Sequence, residues 1–285
     1  MIVTRFAPSP TGLLHLGHAY AALFAWRRAR AAGGRFLLRI EDIDEGRCRE
    51  EFVTALMADL RWLGIGWDGE VRRQSRQLDD YRAALGRLDA AGLIYPCFCT
   101  RAAIKGEIAR ALDAPQGPEG SLYLGTCRAL APSARAERIA AGAPFALRLD
   151  VAQATARTGP LDWEDEAVGT VAADPLALGD VVLARKDAPT SYHLAVSVDD
   201  ASQGVTLVTR GDDLFASTHI HRLLQALLGL PTPRYCHHAV LTDAAGRRYA
   251  KRDRSLTLRA LREAGRTPEE VRAMAGVSRA GGAIR

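Results

Sequence analysis

The first forty residues hold the pattern that most constrains this chain. An apolar run from Ile2 to Ala7 is cut off by Pro8, Pro10 and Gly12, as when a buried strand hands over to a loop. From Gly17 to Ala32 the run GHAYAALFAWRRARAA has helical periodicity and strong helix formers, and it stops at Gly33 and Gly34. Phe36 to Ile40 is apolar and strand-like again, and helices are expected over 49–63 and 78–91. Strand, helix, strand and helix in that order predict an α/β fold with a parallel sheet. Ligands of such sheets bind at the carboxyl ends of the strands.

The texture changes after Tyr95. A Pro/Gly-rich segment lies between Cys97 and Cys127, and short strand-like runs occupy 145–182, which predicts an insertion with its own small fold. Helical pattern returns at 217–228, 256–263 and 268–274, and a disordered tail is expected at 278–285. At 48% hydrophobic and 25% charged residues, the composition is that of an ordinary globular protein. No stretch approaches the roughly 20 apolar residues of a membrane span. The opening MIVTRFAPSP lacks a basic and apolar leader, so a cytoplasmic protein is expected. The odd count of five cysteines argues against a disulfide framework. The net charge of +5 is compatible with a nucleic-acid partner. Arginine supplies nearly all of the positive charge, since the only lysines are Lys105, Lys186 and Lys251.

The expected strand-to-helix junction carries His15, Gly17 and His18. The first turn of a helix presents unpaired N–H groups and about half a positive charge, which suits an anion. A glycine there lets a nucleotide approach the backbone, and two imidazoles can donate to phosphate oxygens. These three residues have wide company. RFAPSPTGLLHLGHAYAALFAW, FLLRIEDID, YHLAVSVDD and RGDDLFASTHIHRLLQALLG follow one another along the chain. In these stretches, and in that order, the sequence resembles the glutamyl/glutaminyl branch of the class I aminoacyl-tRNA synthetases, whose "HIGH" signature follows the first strand.

The resemblance implies a Rossmann-like parallel-sheet catalytic domain with a zinc-containing insertion. Residues 1–95 would form the first catalytic half and 96–185 the insertion. Residues 186–255 would form the second half with a lysine loop, and 256–285 a short helical C-terminal segment. The chemistry implied is activation of L-glutamate by magnesium-bound ATP. His15, Gly17, His18 and Lys251 would bind ATP, with His15, His18 and Lys251 catalytic. The family's "KMSKS" loop aligns with 248–252, where only Lys251 keeps the pattern. A retained lysine in so arginine-rich a chain is consistent with a required compact ammonium.

For the amino acid, the resemblance implies Arg5, Ala7, Ser9, Glu41, Tyr192 and Arg210. Glu41 would take the amino group, while the arginines and Tyr192 hold two carboxylates, in an order left open. Val196 stands where some tRNA-charging members have a polar residue. Three thiolates at Cys97, Cys99 and Cys127 suit a tetrahedral zinc if a fourth ligand is found, and the resemblance makes that ligand Tyr123. Cys48 and Cys236 lack such spacing and read as structural. His237 and His238 read as strand edge, and a strand and hairpin are expected from Val240.

Only 34 residues follow Lys251 (285 minus 251), whereas an anticodon-binding domain needs on the order of 100. The expected function is therefore that of the family's truncated paralogues. These activate glutamate without tRNA and esterify it onto queuosine at the wobble position of tRNA(Asp). The alternative is a minimal glutamyl-tRNA synthetase charging the 3′ end of tRNA(Glu). A small-molecule adenylate ligase and a zinc-stabilised RNA-binding module are the more distant readings. A monomer is expected.

Overall fold

In the computed structural model of the protein, the described residues are 1–110, 116–118, 120–241 and 257–276. The expected hairpin and lysine loop, Lys251 included, and the tail 278–285 lie outside them. In chain order the elements begin β1 (Val3–Phe6), α1 (Leu16–Ala31), β2 (Arg35–Ile40), α2 (Glu50–Trp62), β3 (Arg72–Arg73), α3 (Leu78–Ala90) and β4 (Ile94–Cys97). Next come α4 (Arg101–Arg110), β5 (Gln116–Gly117), β6 (Gly120–Ser121), α5 (Pro132–Ala140), β7 (Ala146–Leu149), α6 (Val151–Thr158), β8 (Asp162–Asp165), β9 (Gly169–Ala172) and β10 (Val182–Ala184). The chain continues through α7 (Tyr192–Ser202), β11 (Leu207–Gly211), α8 (Ser217–Leu227), β12 (Arg234–His238), α9 (Leu258–Glu263) and α10 (Pro268–Met274). Two compact units emerge. One comprises Met1–Arg76, Val205–Asp213 and Pro233–Arg285, the other Gln77–Gly204 and Leu214–Thr232.

The first unit is the expected parallel α/β assembly. β1 pairs with β2 in parallel, Val3 opposite Arg35 through Phe6 opposite Leu38, and β2 pairs with β3. β11 pairs with β12 in parallel, Leu207 opposite Arg234 through Gly211 opposite His238. The Thr206 N–H donates to the Val3 carbonyl at 3.0 Å, placing β11 beside β1. The strands thus lie side by side as β3, β2, β1, β11, β12. Parallel strands covered on both faces read as near-continuous apolar runs, and every residue of β1 is buried. One core cluster joins Phe6 of β1, Phe36, Leu38 and Ile40 of β2, and Leu23 of α1 to Leu56 and Leu60 of α2 and Leu258 of α9. Burial of each such side chain contributes roughly 1.5–3 kcal/mol.

The turn between α1 and β2 explains its glycine pair. Gly33 sits at φ +61°, a left-handed conformation that closes the helix. A Cβ on Gly34 would collide with the Ile2 carbonyl, which instead accepts the Arg35 N–H at 2.9 Å. The second unit is mixed. β4, β7 and β10 form an antiparallel sheet, β8 and β9 a hairpin, and α3, α6, α7 and α8 pack together. Inside it, the Tyr81 hydroxyl bonds the buried Asp199 carboxylate at 2.9 and 3.0 Å.

One expectation changes. The stretch 145–182 holds a helix, α6, among its strands; Asp150 caps it by accepting the Gln153 N–H at 3.0 Å. Its two turns are too short to show periodicity. The stretch YHLAVSVDD starts α7. Val240 and Leu241 carry no strand, the rest of the hairpin expected from Val240 lies outside the described residues, and β12 ends at His238.

Candidate functional site

The first group of chemical residues belongs to the parallel unit. His15 is the N-cap of α1, in extended conformation at φ −118° and ψ 177°. Its backbone N–H donates to His18 Nδ1 at 3.2 Å, and the two rings lie 3.8 Å apart. A nitrogen that accepts carries no proton, so neutral His18 has its hydrogen on Nε2. The start of α9 is tied to the same loop, with the Leu258 N–H donating to the Leu14 carbonyl at 2.8 Å. His15 also bridges to Thr257.

Arg5 on β1 and Arg210 on β11 are both buried, at 6% and 7% exposure. Such burial of two guanidiniums needs compensating acceptors. Arg5 Nη1 donates to the Thr209 carbonyl at 3.1 Å, and Arg210 Nε donates to His237 Nε2 at 3.1 Å. Glu41 follows directly on β2, and its N–H donates to the Pro8 carbonyl at 3.1 Å, next to Ala7 and Ser9. Its carboxylate lies 3.6 Å from fully buried Arg39. The loop after Glu41 is fastened by Asp42, which accepts from the Ser75 N–H and hydroxyl at 2.8 Å each and from Arg73 Nε at 3.0 Å. Arg73 also grips Glu50 at 2.7 Å. Gly17 lies in the first turn of α1.

Tyr192 and Val196 are on α7, in the other compact unit. The Tyr192 ring lies 5.5 Å from that of buried His221, whose Nε2 meets His193 Nδ1 at 3.2 Å. Cys236 is structural as expected, packed with Phe24 and Leu207. Cys48 places its thiol 3.9 Å from the Glu41 carbonyl. Sequence reading left His237 as strand edge. The usable signal was register, since β12 sets it directly opposite Arg210.

The second group is the thiol cluster. The sulfurs of Cys97, Cys99 and Cys127 lie within 4.8 Å of one another, with Cys99 and Cys127 at 3.4 Å. The Tyr123 hydroxyl is 3.5 Å from Cys97 Sγ and 3.7 Å from Cys99 Sγ. Sulfurs at about 2.3 Å from a tetrahedral zinc stand about 3.8 Å apart, so the four side chains fit that ion. Burial, reinforced by the neighbouring thiols, pushes Cys99 up to about 11. Burial also raises Cys127, but the Phe98 N–H at its sulfur, 3.3 Å away, and the Tyr123 and Cys99 donors prevail and hold it below its ordinary value. Burial is the main reason the Tyr123 phenol is raised. The Arg148 guanidinium lies 4.1 Å over the Tyr123 ring. Beside this cluster Asp180 gathers three segments, accepting from the Tyr95 hydroxyl at 2.5 Å, Arg128 at 2.9 Å and the Val151 N–H at 3.1 Å.

The profile of the tRNA synthetases class I (E and Q) catalytic domain matches residues 1–283. The chain belongs to this family. A glutamyl-Q tRNA(Asp) synthetase from Rhodobacter capsulatus is 49% identical, covering 97% of this chain and 100% of its own. Another from Nocardia farcinica is 48% identical over 95% of this chain and 82% of its own. A crystal structure of a glutamate tRNA ligase from Elizabethkingia meningosepticum, in complex with its amino acid, superposes at a TM-score of 0.74 with 27% identity. That match covers 88% of this chain and 52% of the ligase, so the chain spans about half the length of that solved structure. As a member of this synthetase family the chain is a ligase with an α/β catalytic domain and a parallel sheet. Among the described residues, no helix is long and apolar enough to cross a membrane.

Proposed function

We propose that this synthetase activates L-glutamate with ATP and passes the glutamyl group to queuosine at the wobble position of tRNA(Asp). The observation that carries the reading is the placement of Arg5 and Arg210 toward the carboxyl ends of the adjacent parallel strands β1 and β11, with Glu41 directly after the carboxyl end of β2. Two guanidiniums match two carboxylates, and one carboxylate matches an ammonium. Ala7 and Ser9 complete the part of the amino-acid site carried by this unit, and Tyr192 is assigned to glutamate by the family resemblance alone. The relatives named glutamyl-Q tRNA(Asp) synthetase support the acceptor.

In the first step a glutamate α-carboxylate oxygen attacks the α-phosphorus of ATP in line, and magnesium pyrophosphate leaves. His15, His18 and Lys251, with the backbone at Gly17, hold the phosphates. Acceleration comes from positioning and charge stabilisation rather than from a protein nucleophile. In the second step a cyclopentene hydroxyl of queuosine attacks the adenylate carbonyl, the ester forms and AMP leaves. Cys97, Cys99, Tyr123 and Cys127 hold a structural zinc that fastens the insertion. Residues 1–95 and 186–255 are then the catalytic halves around the insertion 96–185, with 256–285 as a helical supplement. The protein works as a cytoplasmic monomer.

Labelled glutamate and ATP incubated with bulk tRNA from queuosine-proficient and queuosine-deficient cells test the reading. Label is expected on tRNA(Asp) from the first source only. Equal labelling of both, mapped to the 3′ end of tRNA(Glu), would replace it with the charging alternative. Lys251→Ala is expected to cut glutamate-dependent ATP–pyrophosphate exchange more than roughly tenfold, the loss of one charged hydrogen bond to the transition state.

A further inference from the structure

We infer that His237 is a positioning residue for the amino-acid substrate, because it fixes the plane of the Arg210 guanidinium before a carboxylate arrives. The inference rests on the reading that Arg210 binds glutamate. Parallel register sets Arg210 of β11 directly opposite His237 of β12. Across that step Arg210 Nε donates to His237 Nε2 at 3.1 Å. An imidazole nitrogen accepts only without a proton, so His237 is held as the neutral ring with its hydrogen on Nδ1.

A second contact acts on the face of the guanidinium. Tyr235 lies two residues before His237, hence on the same side of β12. Its ring stacks on His237 at 5.9 Å with the planes 6° apart. The Arg210 Cζ lies 5.4 Å from the centre of the Tyr235 ring. One restraint acts in the guanidinium plane, at Nε, and the other on its face. Together they define an orientation that a long, rotamer-rich side chain would otherwise lose entropy to reach on binding. Bidentate capture of a carboxylate depends on that plane. Arg5 is secured by other means, through Nη1 to the Thr209 backbone carbonyl. A side chain at 237 therefore acts on Arg210 directly, through its Nε. His237 is half-buried, so its replacement need not open the core.

Glutamate-dependent ATP–pyrophosphate exchange by the full chain, with unfolding temperature measured in parallel, tests this. His237→Leu is expected to raise KM for glutamate roughly tenfold, the worth of one hydrogen bond to a charged group. KM for ATP and the unfolding temperature should stay put. His237→Gln, whose amide oxygen reaches the Nε2 position, should recover KM to within about threefold. In an Arg210→Ala background His237→Leu should add nothing. Equal rises in both KM values, failure of Gln to rescue, or full additivity in that background would overturn the inference. If Arg210→Ala raises KM for glutamate while His237→Leu does not, the inference falls and the pocket stands. If Arg210→Ala itself leaves KM for glutamate unchanged, both fall.

Discussion

The strand-end group and the thiol cluster solve opposite problems. Arg5, Glu41, Arg210 and His237 come from positions scattered over 230 residues (237 minus 5 is 232), and each hangs on a strand or strand end of one parallel sheet. Their placement is a by-product of a core that buries Phe36, Leu38 and Leu60 completely. Cys97, Cys99, Tyr123 and Cys127 come from a single stretch, flanked by Pro and Gly and packed on little beyond Tyr95, Phe98 and Leu130. A scaffold that already exists can place charges at no further folding cost. A segment with so small an apolar cluster has use for another source of stability, and the proposed dication among three thiols would be one. The difference separates what folding provides from what a ligand must provide.

The largest expected effect would break that contrast from the thiol side. Cys97→Ser, or a strong chelator, should remove close to one zinc per chain and destabilise the insertion by several kcal/mol. Elemental analysis and limited proteolysis follow the loss, and a zinc-free wild type of undiminished stability would defeat the assignment. On the other side, Arg5→Ala should cost about a hundredfold in exchange, roughly 2.7 kcal/mol, with no change in zinc content. A smaller change sharpens the picture. Glu41→Gln should raise KM for glutamate about tenfold and leave KM for ATP as it was, by the loss of one charge-assisted contact. Equal effects on both substrates would take Glu41 out of the amino-acid pocket.

The smallest effect concerns the sheet unit alone. Asp59 of α2 is fully buried, and burial pushes its carboxyl up to about 6, although Arg262 stands 3.4 Å away and Arg259 acts in the same sense. A raised carboxyl pKa favours the folded state most below the unfolded value near 4 and loses that contribution as pH climbs to about 6. Urea unfolding should therefore show stability falling across that window by at most about 1 kcal/mol per pH unit, a slope that Asp59→Asn abolishes.

Much of this was legible in the chain itself, for particular reasons. The helix from Gly17 and the strand to Ile40 could be read because a long periodic run and a short apolar one differ in period. Gly33 and Gly34 mark the turn by chemistry that only glycine supplies. The helix Val151–Thr158 was hidden because its eight residues make only two turns, too few for a period to stand out. The site was visible as residues but not as geometry. Nothing local says that Asp42 ties the Glu41 loop to Ser75, or that Asp180 collects Tyr95, Arg128 and Val151, since those contacts span 29 to 85 positions. Pairings of that kind are set by sheet order and register, which a single sequence leaves open.

His18 accepts the His15 N–H through one ring nitrogen and keeps a proton on the other. The same imidazole therefore begins the helix and offers a donor outward. Asparagine there could imitate the first nitrogen but not the second, which separates architecture from reactivity by a single codon. A lineage drifting toward a silent copy could therefore give up the reactive half through that exchange and still keep the first turn of α1.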